Sequence, residues 1–294
     1  MNWIQFIGSI ELGLIYSLVA MGVFLSFRTL QFPDMTVDGS FTLGAAVCAI
    51  LITQGIHPGF ATLAAIMAGA LAGWATAWLS THLRMLNLLA GILTMTALYS
   101  INLRIMGRPN IALLGEKTIL NEWFSSIPTW GSVHLIPLLY ITALFVAFVY
   151  IILNTRLGLA IRATGNNPRM GRAQGINDKA MIWVGLSLSN ALVSLAGALF
   201  AQVHGFADVT MGLGTIIIGL AAVIIGQALL PTRTILQALL ACVLGTILHR
   251  LVIATALNVG DFGLQASDVN LVTAVLVALA MFLPSLKHRV KASS

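Results

Sequence analysis

Charge is what this sequence has least of. Only 8% of its 294 residues are Asp, Glu, Lys or Arg, against roughly 25% in an ordinary soluble domain, and that scarcity excludes water as the solvent for most of the chain. Cysteine is nearly absent: Cys48 and Cys242 each sit inside an apolar run and read as small buried residues, so neither a disulfide framework nor a cysteine metal site follows. No Gly-x-x-x-x-Gly-Lys phosphate loop occurs, because Gly115-Glu-Lys-Thr118 lacks the first glycine and a preceding strand. His57, His82, His134, His204, His249 and His288 show no zinc-protease spacing, and no Gly-x-Ser-x-Gly elbow is present. An enzyme therefore finds no machinery here, and the expectation is no cofactor and no metal in this chain. The roughly ten-residue alternating segments of a transmembrane barrel are missing too: the run from Thr215 to Ile225 is apolar on both faces.

What is present is apolar sequence in long runs. Hydrophobic residues make up 59% of the chain, and a bilayer core takes roughly 20 of them per helix. Nine runs of that length occur, at 5–27, 37–56, 60–82, 86–106, 133–153, 181–203, 213–230, 235–256 and 268–286. The fold class read from them is all-α: a polytopic integral membrane protein of about nine helices, eight to ten, forming a single transmembrane domain over 1–294. The first run has no basic flank and no Ala-x-Ala-like exit, and it contains Glu11, so it is expected to remain in the protein.

The net charge of +6 is explained by position. With the segment between the fifth and sixth runs placed in the cytoplasm, strict alternation puts eleven cations inside, among them Arg28, Arg84, Arg156, Arg162, Arg169, Arg172 and Arg233, and only Arg108 and Lys117 outside. This positive-inside bias sets the N-terminus outside and the C-terminus in the cytoplasm. The basic excess is orientation, and no nucleic-acid partner is expected.

Two connections stand out. The outer one, 107–132, carries Glu116, Glu122, Trp123, Pro128 and Trp130, which suits a short interfacial helix with aromatic anchors as well as a plain long connection. The inner one, 155–180, is the most polar stretch of the chain. Gly165-Asn-Asn-Pro168 predicts a turn and a helix start, with the Asn pair as caps and Pro168 at the first helical position. A turn or two of helix follows before Gly175 ends it. A faint internal similarity links Asp34-Met-Thr-Val-Asp-Gly39 to Asp208-Val-Thr-Met-Gly212. These lie on opposite faces in the expected topology, as an inverted repeat requires, though so short a match also arises by chance.

The segment Gly158-Leu-Ala-Ile-Arg-Ala-Thr-Gly-Asn-Asn-Pro-Arg-Met-Gly-Arg-Ala-Gln-Gly-Ile176 resembles the cytoplasmic coupling loop of the branched-chain amino acid and ribose permease family of ABC importers. Gly13-Leu-Ile-Tyr-Ser-Leu-Val-Ala-Met-Gly22, Asp34-Met-Thr-Val-Asp-Gly-Ser-Phe-Thr-Leu-Gly-Ala45 and Gly219-Leu-Ala-Ala-Val-Ile-Ile-Gly226 are similar to that family in order and spacing. The Asp-x-Thr-Val-Asp-Gly-Ser variant looks closest to the branch associated with tryptophan or tyrosine uptake. It departs from the Asn-x-Ala-His-Gly-like sequence of branched-chain permeases. The resemblance implies a bacterial inner-membrane permease that moves a small organic solute by alternating access, an amino acid, particularly an aromatic one, ahead of a sugar or nucleoside. Its implied partners are a second permease copy, a solute-binding protein outside and cytoplasmic ATPase subunits that hold ATP and Mg. Gly165, Asn166, Asn167, Pro168, Arg169, Met170, Ala173 and Gly175 are then the ATPase-coupling residues.

Polar groups within the spans call for a reason, since a charge at mid-bilayer costs about 2.5–3.5 kcal/mol. Asp34 and Asp38 read either as caps of the second span or as part of a broken helix lining a solute path. Candidates for that path are Thr36, Asp38, Gly39, Ser40, Thr94, Asn102 and Asn190, each of which also fits a helix-joining hydrogen bond. Glu11 is expected to snorkel or to face another helix, and Arg104 and Arg250 to snorkel. Gly69 and Gly73 permit close helix packing. The rival reading is an ion-coupled secondary transporter in which Asp38 or Glu11 titrates.

Overall fold

The computed structural model describes residues 3–120, 134–230, 232–258 and 273–275. Its helices are α1 (Trp3–Val23), which continues as a π-helical turn over Phe24–Thr29, α2 (Thr36–Thr53), α3 (Pro58–His82), α4 (Asn87–Met106), α5 (Leu135–Asn154), α6 (Arg156–Asn166), α7 (Pro168–Ala173), α8 (Asp178–His204), α9 (Thr215–Leu229) and α10 (Ile235–Asn258). Two three-residue strands, β1 (Asn110–Ala112) and β2 (Phe206–Asp208), pair antiparallel with Ile111 opposite Ala207.

Seven of these helices are long and apolar enough to cross a membrane, so the protein is an all-α polytopic membrane protein. The expected span at 213–230 is shortened to the fifteen residues of α9, about 22 Å at 1.5 Å per residue, against a core of roughly 30 Å. The cause is Gly212 and Gly214, which turn the chain before the helix starts; Gly214 has φ +83°. The run at 268–286 lies outside the described residues except for 273–275, which are helical, and so does the part of the outer connection 107–132 from 121 on, where an interfacial helix was one of the two readings.

Local sequence explains the ends. Pro58 opens α3 at its first position while the His57 ring accepts from Gly59 N at 3.1 Å. Gly107 and Gly205 close α4 and α8 in the left-handed conformation. The π turn ends at Gln31, whose φ is +54°, just before Phe32-Pro33, where proline disfavours further helix.

Packing follows an exchange. α8 packs on the α2–α3 hairpin and α1 packs on the α9–α10 hairpin. α1 and α8 themselves cross antiparallel, with Tyr16 against Phe200, Gly22 against Ser189 and Leu30 against Gly185. Small residues allow this closeness: a Cβ added at Gly197 would strike the Phe41 carbonyl, and one at Gly73 the Leu186 carbonyl. α5 lies at the rim and exposes Leu139, Tyr140, Leu144 and Ile151, as a helix facing lipid does.

Candidate functional site

The residues proposed for a solute path gather where the chain breaks between α1 and α2. Asp34 Oδ1 accepts Thr36 N at 2.9 Å, and its Oδ2 accepts Asn190 Nδ2 at 2.7 Å. Asn190 Oδ1 in turn accepts Ser40 Oγ at 2.7 Å. The Thr36 and Thr76 hydroxyls lie 2.7 Å apart, and Asn102 Nδ2 donates to the Gly39 carbonyl at 3.3 Å. Asp34, Thr36, Ser40 and Asn190 are fully buried. Thr94 stays apart, bonding the Ala90 carbonyl of its own helix at 3.0 Å. What forms is a polar seam joining α2, α3, α4 and α8.

Asp38 does something the sequence did not disclose. Rather than capping its own helix, it caps α9: its Oδ1 accepts Ile216 N at 2.8 Å and its Oδ2 accepts Gly214 N at 3.0 Å. A carboxylate on the positive end of a helix neutralises both the dipole and two donors that lack intrahelical partners. Thr42 Oγ1 accepts Gly212 N beside it at 3.1 Å. The two similar motifs thus meet, and they share a local turn, because Asp208 Oδ1 accepts Thr210 N at 2.8 Å as Asp34 accepts Thr36 N. The Thr210 hydroxyl and N–H hold the Asp208 carboxyl below its ordinary range. Glu11 is likewise engaged, accepting His134 N at 3.1 Å ahead of α5.

Arg250 does not snorkel. Its guanidinium carbon lies 3.9 Å from the centroid of the Tyr16 ring, and its Nε has no acceptor among the described residues. The reason is the antiparallel α1–α10 contact: Gly13 sits under Ile247, and Tyr16 and Arg250, each a turn beyond that point on its own helix, both lean back toward it, because helical side chains tilt toward the helix N-terminus. Tyr16 also packs with Phe41 and Phe200, and Phe200 stacks on His204 at 4.0 Å. A cation inside a span was the visible signal; its aromatic partner was not.

The 155–180 connection holds two helices where one was expected. α6, started by Thr155 Oγ1 accepting Gly158 N at 3.4 Å, runs to Asn166. Asn167 then goes extended, and its side chain caps α7 by accepting Met170 N at 3.1 Å. α7 stops before Gly175, at φ +79°. Asn166, Asn167, Pro168, Arg169, Met170, Ala173 and Gly175 are exposed, Met170 to 62%. Gly165 is buried instead, so close to the Thr29 carbonyl that a Cβ would collide with it. An Arg172–Asp178 ion pair of 3.2 Å joins α7 to the first residue of α8. The connection therefore presents an exposed face and touches the ends of both crossing helices.

Comparisons with known proteins agree with this construction. The chain is 37% identical over 271 residues to a tyrosine transport system permease protein of Clostridioides difficile, covering 90% of this chain and 86% of that one. It is 27% identical over 215 residues to the autoinducer 2 import system permease protein LsrC of Escherichia coli, covering 69% of this chain and 59% of that one. Among solved structures, an inward-facing putative metal-chelate type ABC transporter shares the fold at a TM-score of 0.51 and 18% identity, over 96% of this chain and 86% of that one. The family described as the permease component of branched-chain amino acid transport systems matches residues 6–286. The chain belongs to that permease family, as a multi-pass protein of the bacterial inner membrane.

Proposed function

We propose that this chain is the membrane-spanning subunit of an ATP-driven importer for an amino acid, with an aromatic one favoured. It is one permease domain with nine spans, its N-terminus outside and its C-terminus in the cytoplasm. Two copies surround the path, a solute-binding protein delivers cargo outside, and cytoplasmic ATPases carrying ATP and Mg dock on the 155–180 connection. The observation that carries the reading is α7: a capped, exposed helix with Arg169 and Met170 on its surface and internal ties to both α1 and α8. A push on α7 reaches α1 through Gly165 and the π turn, and reaches α8 through Asp178. These helices cross at the centre, so a rigid displacement there redirects both hairpins. ATPase state then biases which side is open.

The solute class rests on the tyrosine permease relative and on Arg250. A guanidinium with no carboxylate partner among the described residues, lying on Tyr16, which itself packs on Phe41 and Phe200, suits a solute with a carboxylate and an aromatic ring. The ion-coupled alternative draws little support, since Asp34, Asp38 and Glu11 all accept hydrogen bonds from fixed groups. The test is copurification of a tagged chain with its ATPase. Replacing Arg169 and Met170 together by Asp is expected to release the ATPase while the permease keeps its melting temperature; undiminished copurification contradicts the docking role.

A further inference from the structure

Three arginines from distant parts of the sequence line one cavity of about 210 Å³. Arg28 comes from the π turn, Arg162 from α6 and Arg233 from the connection between α9 and α10. Asn166 and Gln227 add amide groups, and Phe24 and Leu153 form an apolar wall. Among the described residues no carboxylate lines it, and none of the three arginines forms an ion pair with one.

The chain has nine acids, and none is left for this place. Asp178 is paired with Arg172, Asp34 is bound by Asn190, Asp38 caps α9, Asp208 is bound by Thr210, and Glu11 is bound by His134 N. Glu116, Glu122 and Asp261 fall in connections assigned to the opposite membrane face, and Asp268 opens the expected run at 268–286 from that same face. Clustered cations repel each other, so the neutralising anion comes from outside the chain.

We propose that this cavity binds a phosphate group, supplied as the headgroup of an anionic phospholipid of the cytoplasmic leaflet. Planar guanidinium groups match phosphate oxygens in pairs, and basic pockets between spans at that face suit anionic headgroups. The cavity lies where α5 ends and α10 begins, the level at which helices leave the hydrocarbon. From its rim at Ile235, the exposed residues Leu236, Leu240 and Leu244 form a stripe along α10, which gives an acyl chain a track that free phosphate does not need. The assignment shares only its membrane orientation with the importer reading. A lipid there ties the π turn and α6 to the α9–α10 hairpin, the parts through which α7 acts.

Purified permease in detergent, mixed with phosphatidylglycerol or with phosphatidylcholine and read by native mass spectrometry, tests this. The natural chain is expected to retain one phosphatidylglycerol per protomer and far less phosphatidylcholine. The combined Arg28→Gln, Arg162→Gln and Arg233→Gln variant is expected to lose roughly tenfold in retention, about 1.4 kcal/mol, while the corresponding Lys variant keeps part of it. Arg233→Gln alone, at an exposed connection, supplies a partial loss in a chain whose fold is undisturbed. Equal retention of phosphatidylglycerol by the natural chain and the Arg233→Gln variant overturns the proposal, as does equal retention of the two lipids. Displacement by millimolar inorganic phosphate overturns the lipid assignment in favour of a soluble anion. Absence of retained lipid, with the ATPase lost from the Arg233→Gln variant, overturns it in favour of an acidic side chain of that partner.

Discussion

At the scale of single residues, the polar groups inside the spans act first on other helices. Asp38 holds two N–H groups of α9, so Asp38→Ala leaves both without an acceptor. Loss of a cap costs about 0.5–2 kcal/mol, and a buried donor left unpaired costs about 1–3 kcal/mol. A lowered melting temperature in detergent is the expected result, with Asp38→Asn intermediate because its amide oxygen can accept only one of the two bonds well. Asn190→Ala strands Asp34 and Ser40 together and is expected to destabilise at least as much. These residues were recognisable in the sequence as polar groups needing a reason. The reason itself was not legible, because Asp38 and Ile216 lie far apart along the chain and nothing local records that α9 begins on a carboxylate of α2. Arg250 shows the same limit. Its position near a helix end argued for snorkelling, and only the α1–α10 contact at Gly13 turns it onto Tyr16. Arg250→Ala is expected to abolish solute-stimulated ATP hydrolysis while leaving the ATPase bound. Unchanged stimulation, measured on the purified complex, removes Arg250 from the solute path.

At the scale of elements, length and apolarity placed most spans within a few residues of α1 to α5, α8 and α10, because a twenty-residue apolar run has few other solutions. The boundaries failed where backbone geometry intervened. α9 is short because glycines at 212 and 214 turn the chain first, and α6 was missed because its residues are mixed in polarity and its first turn is set by the single hydroxyl of Thr155. α7 was legible from Asn167 and Pro168, whose cap and first-turn roles are local. The role of Gly165 was not, since it depends on the Thr29 carbonyl lying over it. Gly165→Val forces α6 away from the π turn. Its expected outcome is an ATPase that still binds and hydrolyses ATP but drives little transport; normal transport shows that force does not pass through this contact. Gly197→Val, which drives a methyl into the Phe41 carbonyl, is expected to cost about 1–3 kcal/mol, read as a lower melting temperature.

At the scale of the molecule, two halves exchange long helices: α1 lies on the hairpin of the second half and α8 on that of the first. The turns at 34–36 and 208–210 share an Asp-x-Thr hydrogen bond, and α1 and α8 cross antiparallel, which is the relation an inverted repeat requires. On the proposed importer reading, the two halves tilt against each other and access alternates between faces. The bonded state of Asp34, Asp38 and Glu11 supports the proposed external energy source, with α7 as its proposed point of entry. Uptake of a labelled aromatic amino acid into proteoliposomes holding the permease, its ATPase and its solute-binding protein tests this most directly. The account predicts accumulation that requires ATP, survives an uncoupler and is lost when Arg169 and Met170 are replaced by Asp. Uptake by the permease alone, independent of ATP and abolished by the uncoupler, contradicts it.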